Sequence, residues 1–179
     1  MKHITRTAAL LLLLALTLTS CHHHTGNTDD AEAASSPAAS ENTYSSQTLQ
    51  FSTTDINGRS VTLEDYSDAK VIMVNLWEPW CGPCVGEMPE LQKLYTNYKD
   101  KGLVILGVYG TEEDPQAVVK ETDVTYPILR RTEDFASFET DYVPTTFFVD
   151  GEGHLLSAQP VIGYQSYAEW EATILNYLK

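Results

Sequence analysis

Residues 71–84 read VIMVNLWEPWCGPC, and this stretch decides the fold of the chain. Its first half, Val71 to Trp77, is an apolar run with a single asparagine, which is typical of a strand buried on both faces. After the stretch, apolar side chains recur at helical spacing: Val85, Met88, Leu91, Leu94, Tyr95 and Tyr98. The pair Cys81 and Cys84 is therefore predicted at a junction between a strand and a helix.

Cys81 and Cys84 are separated by two residues, so they can close a small disulfide ring and open it again. Thiol–disulfide exchange uses this chemistry, since a thiolate attacks one sulfur of a disulfide and a mixed disulfide forms. The positive end of a helix at this junction stabilises a thiolate and lowers its pKa. We therefore expect Cys81 to attack and Cys84 to resolve the mixed disulfide.

Other uses of the cysteine pair are weighed against this one. A closed zinc site needs four ligands, but the only further cysteine is Cys21, and the histidines are His3, His22–His24 and His154. Neither a metal site nor a cofactor is predicted. A purely structural disulfide is the other alternative, although so small a ring would constrain the unfolded chain little.

The first twenty residues predict export. Basic residues precede an apolar core from Ala8 to Leu18, as in a secretory signal peptide, and this core is shorter than the about 20 residues that span a membrane. The sequence Leu18-Thr19-Ser20-Cys21 resembles a bacterial lipobox, which implies a lipoprotein signal peptide over residues 1–20 and a lipid on Cys21. An ordinary signal peptide or an uncleaved anchor remains the alternative.

The rest of the chain divides into a tether and one domain. Residues 21–47 contain hardly any large apolar side chain and cannot bury enough surface to offset their ordering entropy, so we expect a lipidated, flexible tether. Residues 48–179 have the size of a single domain. The formal net charge of −14 argues against nucleic-acid binding, which depends on lysine and arginine at phosphates. Anionic headgroups would repel this charge, so the lipid would hold the protein at the membrane.

The pattern within residues 48–179 predicts the order of the elements. Asn57-Gly58 between the strand-like runs Leu49–Thr53 and Arg59–Leu63 is typical of a hairpin. Further strands are predicted at 103–109, 126–130, 145–150 and 154–158, and helices are predicted from Asp114-Pro115, through Phe135 and Phe138, and from a capping box at Ser166. This order implies an α/β protein with a central mixed sheet flanked by helices.

These segments resemble the thioredoxin fold and, within it, the TlpA/ResA-like family of extracytoplasmic thiol–disulfide oxidoreductases. The resemblance covers about residues 48–179. It rests on Asn75-Leu76-Trp77, Trp80-Cys81-Gly82-Pro83-Cys84, Glu87-Met88-Pro89-Glu90-Leu91 and Tyr142-Val143-Pro144-Thr145-Thr146-Phe147. The N-terminal hairpin and an extra αβ segment at about 114–130 also fit that family rather than plain thioredoxin.

The resemblance implies roles for individual residues. Pro144 would be a cis-proline that faces the disulfide, and Val143 would offer backbone hydrogen bonds to an extended substrate. A trans proline that merely starts a strand is the alternative. Trp80 would cover one side of the disulfide, unless its ring serves only in packing.

One departure from plain thioredoxin concerns the proton of the resolving thiol. Where thioredoxins carry a buried aspartate this chain has Asn75, which cannot act as a base. Glu87, one helical turn after Cys84, and Glu78, in the loop before Trp80, are the candidates to replace it. A base needs burial to raise its pKa toward neutrality, and either carboxylate could instead be solvated.

The predicted function is reduction of disulfides in exported client proteins by a monomeric protein that is lipid-anchored to a bacterial membrane, outside the cytoplasm. Gly82-Pro83 resembles the central pair of reductants. The family resemblance suggests two kinds of client, apocytochrome c and a methionine sulfoxide reductase. The first would give the protein a role in cytochrome c maturation. A lone redox pair requires an external membrane thiol electron donor. A disulfide-forming oxidase of the same fold, or a redox-silent binding lipoprotein, is the alternative; a peroxide reductase fits less well.

Overall fold

A five-stranded mixed sheet forms the centre of the fold. The computed structural model describes residues 47–179. In this part of the chain the strands are β1 (Ser52–Thr54), β2 (Ser60–Thr62), β3 (Val71–Trp77), β4 (Leu103–Tyr109), β5 (Ile128–Arg130), β6 (Thr145–Val149) and β7 (Val161–Ile162), and the α-helices are α1 (Gly82–Tyr98), α2 (Gln116–Thr122) and α3 (Tyr167–Tyr177). The large sheet has the order β5-β4-β3-β6-β7. The predicted α/β class, with a mixed sheet flanked by helices, is confirmed.

β3 occupies the middle of this sheet. It pairs in parallel with β4, from Val71 opposite Leu103 to Trp77 opposite Tyr109, and it pairs antiparallel with β6. Every residue of β3 is buried, because α1 and α3 cover one face of the sheet while the N-terminal hairpin and the segment around Phe135 cover the other. Burial on both faces explains why an apolar run without alternation forms this strand.

α1 begins directly after the loop that follows β3, and it carries the cysteine pair. Cys81 is its N-cap residue, and Pro83 lies in the first turn, where a missing N–H costs no hydrogen bond.

α3 begins at the predicted capping box, in which the Glu169 carboxylate accepts hydrogen bonds from the N–H and the hydroxyl of Ser166. Trp170 of α3 is buried in the same apolar cluster as α1, so both helices cover one face of the sheet.

The predicted N-terminal hairpin is present as a separate two-stranded ribbon. Ser52 pairs with Thr62 and Thr54 with Ser60. Gly58 in the connecting turn has a φ of 80°, a conformation that glycine adopts without steric cost. The Asn-Gly signal therefore identified both the hairpin and the position of its turn.

The return strand predicted at residues 154–158 is largely wrong. Only isolated bridges form there, one of them between Leu155 and Val149, and the regular partner of β6 on this side is β7. The hydroxyl of Ser157 accepts the Phe148 N–H at 3.3 Å. A side chain thus supplies an acceptor that a regular strand would supply from its backbone, and the ladder is interrupted.

Two predicted helices also differ in detail. Residues 133–138 form a 3₁₀ helix instead of an α-helix. α2 begins at Gln116, and the Asp114 carboxylate accepts the N–H of that residue at 2.9 Å. The helix start predicted at Asp114-Pro115 is therefore correct to within one residue, since Pro115 and not Asp114 is the N-cap.

The predicted signal peptide (1–20), the lipidated Cys21 and nearly all of the predicted tether (21–47) lie outside the described residues. These assignments stay predictions. Within residues 47–179, the helices are too short or too polar to cross a membrane.

Candidate active site

Cys81 and Cys84 form a disulfide at the N-terminus of α1. Their sulfur atoms are 2.07 Å apart and their Cα atoms 5.2 Å apart. Residues Glu78–Trp80, here termed the redox loop, connect β3 to Cys81. The Cys81 N–H donates to the Glu78 carbonyl at 3.0 Å and closes this loop. The predicted strand-to-helix junction at the cysteine pair is confirmed.

The surroundings of the Cys81 sulfur suit a thiolate nucleophile. The Cys84 N–H donates to Cys81 Sγ at 3.2 Å, and the N–H groups of the first helical turn place partial positive charge at this point. The carbonyl oxygen of Val143 lies 3.6 Å from the same sulfur. A disulfide sulfur has no hydrogen to donate, so this contact can become a hydrogen bond only when Cys81 is a reduced thiol.

Val143 and Pro144, here termed the cis-proline segment, lie on the other side of the disulfide. The peptide bond between them is cis, so the trans alternative does not apply. Pro144 is buried, and its carbonyl accepts the Gly163 N–H at 2.8 Å. Trp80 and Tyr142 are 64% and 66% exposed, so neither residue belongs to the core and both are available to a partner.

Glu87 lies on α1, one turn after Cys84, and is completely buried. Its Oε1 accepts the backbone N–H of Gln165 at 2.7 Å and the indole N–H of Trp170 at 3.1 Å. Its Oε2 accepts the side-chain amide of Asn75 at 3.2 Å. Burial away from water raises the pKa of Glu87 to about 7, although the three donors oppose this rise. The carboxyl group can therefore take up or release a proton near neutral pH.

Asn75 acts on this carboxylate as a hydrogen-bond donor. Its Nδ2 donates both to Glu87 Oε2 and to the hydroxyl of Thr146, the latter at 2.9 Å. Thr146 lies directly opposite Asn75 in the pairing of β3 with β6. The amide thus holds a carboxylate from α1 beside the position at which thioredoxins carry the aspartate.

Glu78 is also buried, but its partners are of a different kind. Its Oε1 lies 2.8 Å from Nη2 of Arg131. Backbone N–H groups of Gly110 and Thr111 donate to Oε1 and Oε2 at 3.2 and 3.0 Å. Glu78 therefore joins the ends of β3, β4 and β5 through an ion pair, whereas the partners of Glu87 are all neutral.

Sequence reasoning missed the side chains that hold these groups. They are Thr146 beside Asn75, Gln165 and Trp170 beside Glu87, and Arg131 beside Glu78. Each is at least 53 residues from its partner along the chain, so neither spacing nor periodicity could have paired them. Only Trp170 gave a signal, as a large apolar residue at the start of the closing helix.

Metal-ligating side chains also meet in the turn after β6. Asp150, Glu152 and His154 stand close enough to share an ion, and within residues 47–179 they are the one such group. This turn follows the end of β6 that is remote from Pro144. The Asp150 carboxylate already accepts the backbone N–H groups of Glu152 and His154, and the cysteine pair takes no part in the group.

A disulfide between two closely spaced cysteines at a helix start, next to a cis-proline at the end of a mixed sheet, is the arrangement of a thioredoxin-like thiol–disulfide oxidoreductase. Comparison with known proteins leads to the same class. Residues 45–158 match the AhpC/TSA family, and the chain belongs to this family.

Individual relatives narrow the assignment. The thiol-disulfide oxidoreductase ResA of Bacillus thuringiensis subsp. konkukian is 32% identical over 133 residues, which span 72% of this chain and 73% of the relative. A ResA of Bacillus cereus is 30% identical over 125 residues, 68% of this chain and 70% of the relative. A solved thiol:disulfide interchange protein, a thioredoxin family protein from Chlorobium tepidum TLS, has a TM-score of 0.66 at 20% identity and covers 74% of this chain and 95% of its own. The chain is thus a ResA-like thiol–disulfide oxidoreductase with a thioredoxin-like fold.

We expect Glu87→Gln to change the pH dependence of stability. The pKa of Glu87 is about 7, against 4.5 for an ordinary glutamate, so between these values the folded state binds more protons than the unfolded state. The free energy of unfolding of the wild-type protein should therefore fall as the pH rises through this window, by about 2–3 kcal/mol. Urea denaturation of the oxidised protein at about pH 5 and about pH 8 measures the fall, which Glu87→Gln should lack.

Glu90→Gln is the matched control, because it removes a carboxylate from a less buried position on the same helix. This variant should keep the pH dependence of the wild-type protein. An equally steep fall in Glu87→Gln would contradict the assignment of the proton to Glu87.

Proposed function

We propose that this protein reduces disulfides of exported client proteins, at an extracytoplasmic membrane face, through a cycle of Cys81 and Cys84. The observation that carries the proposal is the contact of Cys81 Sγ with the Val143 carbonyl, at 3.6 Å, beside the cis bond to Pro144. A client segment that hydrogen-bonds to the Val143 backbone would bring its disulfide to Cys81. The exposed ring of Trp80 would add apolar contact next to the nucleophile.

The proposed reaction transfers two electrons to the client. The Cys81 thiolate attacks one client sulfur, so a disulfide between Cys81 and the client forms and the second client sulfur leaves as a thiolate. The Cys84 thiol then loses its proton and attacks the Cys81 sulfur. The Cys81–Cys84 disulfide closes, and the first client sulfur is released as a thiolate. An external dithiol must then reduce Cys81–Cys84, and a membrane thiol electron carrier is the proposed donor.

Glu87 is the proposed acceptor of the Cys84 proton. The two residues are three positions apart on α1, a spacing that places side chains on one helix face. Among the described residues, Oε1 of Glu87 accepts two N–H bonds and Oε2 accepts one, so the incoming proton has room on Oε2. A pKa of about 7 suits proton transfer at neutral pH. The ion pair of Glu78 with Arg131 favours Glu87 over Glu78 for this role.

The direction of transfer and the clients are inferred from the family resemblance. Gly82-Pro83 resembles the central pair of reductants, and apocytochrome c or a methionine sulfoxide reductase are the kinds of client that the resemblance suggests. A disulfide-forming oxidase would use the same residues in the opposite direction. A binding lipoprotein without redox activity would keep the fold and use neither sulfur.

The reduction potential of the purified full-length protein separates a reductant from an oxidant. We expect a value close to about −270 mV, as in thioredoxin, because the central pair resembles that of reductants. Equilibration with a redox buffer, followed by alkylation of free thiols, measures the oxidised fraction of the pair. A potential close to about −120 mV would instead identify an oxidase.

Cys84→Ser should accumulate mixed disulfides with client proteins in the exporting cell, because the variant can attack but cannot resolve. Non-reducing electrophoresis should show adducts that dithiothreitol releases. Cys81→Ser is the control and should show far fewer adducts, since its remaining thiol is the less accessible one. Absence of adducts in both variants would favour the binding lipoprotein.

Cys21→Ser tests the proposed lipid anchor. We expect the wild-type protein to incorporate a labelled fatty acid and to sediment with membranes, and Cys21→Ser to lose the label and appear in the soluble extracytoplasmic fraction. Cys84→Ser, which removes a thiol elsewhere, should keep both properties. Membrane sedimentation of an unlabelled Cys21→Ser protein would show that something other than a lipid on Cys21 holds the chain.

A further inference from the structure

We propose that Arg131 is a positioning residue, which holds the redox loop and the cis-proline segment in the relative position that a protein disulfide requires. The proposal rests on the proposed reductase function and deepens it. Arg131 follows β5 directly, and its backbone N–H donates to the Tyr109 carbonyl at 2.7 Å. The residue is thus fixed against the end of β4, at the edge of the sheet where the disulfide lies.

The guanidinium of Arg131 bridges two carboxylates from different segments. Its Nη2 lies 2.8 Å from Oε1 of Glu78, and its Nε lies 3.5 Å from Oε1 of Glu139. The side chain of Glu78 is 5% exposed and that of Arg131 22% exposed. An ion pair this little exposed is costly to break, because a lone buried charge would remain. The pair with Glu78 is therefore the stronger half of the bridge, and Glu139, whose side chain is 39% exposed, adds a weaker restraint on the second segment.

Glu78 connects this bridge to the nucleophile. It is the first residue of the redox loop, and its carbonyl accepts the N–H of Cys81 at 3.0 Å. Its carboxylate also accepts the N–H groups of Gly110 and Thr111. A displacement of Glu78 would therefore move the loop that positions the Cys81 sulfur.

Glu139 connects the bridge to the proposed substrate-binding backbone. It follows the 3₁₀ helix at 133–138 and begins the short segment that leads to Val143 and Pro144. Within that segment the hydroxyl of Thr140 donates to the Tyr142 carbonyl at 3.0 Å. Arg131 therefore spans the two segments that a bound client would have to contact together.

Gly110 makes room for the guanidinium. A Cβ at this position would overlap Nη2 of Arg131, so a methyl group would displace the end of the arginine side chain. Gly110→Ala thus offers a way to disturb the bridge without changing any charge. This variant complements the direct removal of Arg131.

The test compares two substrates in single-turnover reactions of the fully reduced, full-length protein. Insulin carries its disulfides in a polypeptide, which would contact both segments, whereas bis(2-hydroxyethyl) disulfide is small and neutral and would contact only the nucleophile. Arg131→Met should lower the second-order rate constant for insulin about tenfold and that for the small disulfide by less than about twofold, since misplaced binding groups penalise only the substrate that uses them. Gly110→Ala should shift the ratio in the same direction.

Arg130→Met is the matched control. It removes the same charge one residue earlier, from an arginine that pairs with the exposed Glu112, and it should leave the ratio of rate constants unchanged. Arg131→Lys keeps the charge but offers one nitrogen in place of a fork, so it should restore only part of the insulin rate. Thermal melting checks that each variant is folded, and Gly110→Ala replaces Arg131→Met as the deciding variant if the latter does not fold.

The contrary outcome in the Arg131 and Gly110 variants is a ratio of the rate constant for insulin to that for the small disulfide that stays at its wild-type value, whether both constants fall equally or neither falls. That result would overturn the positioning role while leaving the reductase function intact. A wild-type protein that reduces neither substrate would overturn the proposed reductase function, and the role of Arg131 with it. The two failures are therefore distinguishable.

Discussion

The parallel pairing of β3 with β4, and of β4 with β5, determines where the chemistry of this protein takes place. Parallel strands end at one edge of a sheet, and β6, which is antiparallel to β3, begins at that edge. The redox loop, the turn at Gly110 and Thr111, Arg131 and the cis-proline segment consequently meet there. Because β3 is buried on both faces, the hydrophobic effect that stabilises the core also stabilises the site.

Two glutamates near this edge show how the partners of a buried acid decide what it can do. Glu87 is surrounded by neutral donors, and burial raises its pKa to about 7, so the cost of a buried charge can be removed by taking up a proton. Glu78 faces Arg131 and two backbone N–H groups, so its charge is used to join segments of the chain. The sequence placed both residues near the cysteines but could not distinguish these roles.

Different parts of the structure were predictable to different degrees. The spans of β3 and β4, Val71–Trp77 and Leu103–Tyr109, agree with the prediction because a long apolar run bounded by turn residues marks its own ends. The cysteine pair was recognisable from its spacing. The return strand at 154–158 was not, since a serine hydroxyl replaces a backbone acceptor there, and local patterns do not encode that choice.

The partners of the candidate site lay beyond sequence reasoning for a related reason. Glu87 depends on Gln165 and Trp170, and Glu78 depends on Arg131. These contacts follow from the order of strands in the sheet and from the packing of α3 on α1. Without a three-dimensional arrangement, an arginine after a short strand is indistinguishable from any solvent-exposed arginine.

Asn75 gives the site a property that an aspartate in its place would lack. Its amide carries a donor and an acceptor, and a half-turn about one bond exchanges them. The amide presents its N–H to a charged Glu87, as at the observed 3.2 Å, and its oxygen can face a protonated Glu87 while the Thr146 hydroxyl reverses from acceptor to donor. The hydrogen bonds of Asn75 to Glu87 on α1 and to Thr146 on β6 would then both reverse their direction. Because the residue between Glu87 and Thr146 is a neutral amide, this row of side chains carries a single carboxylate and never holds two adjacent negative charges.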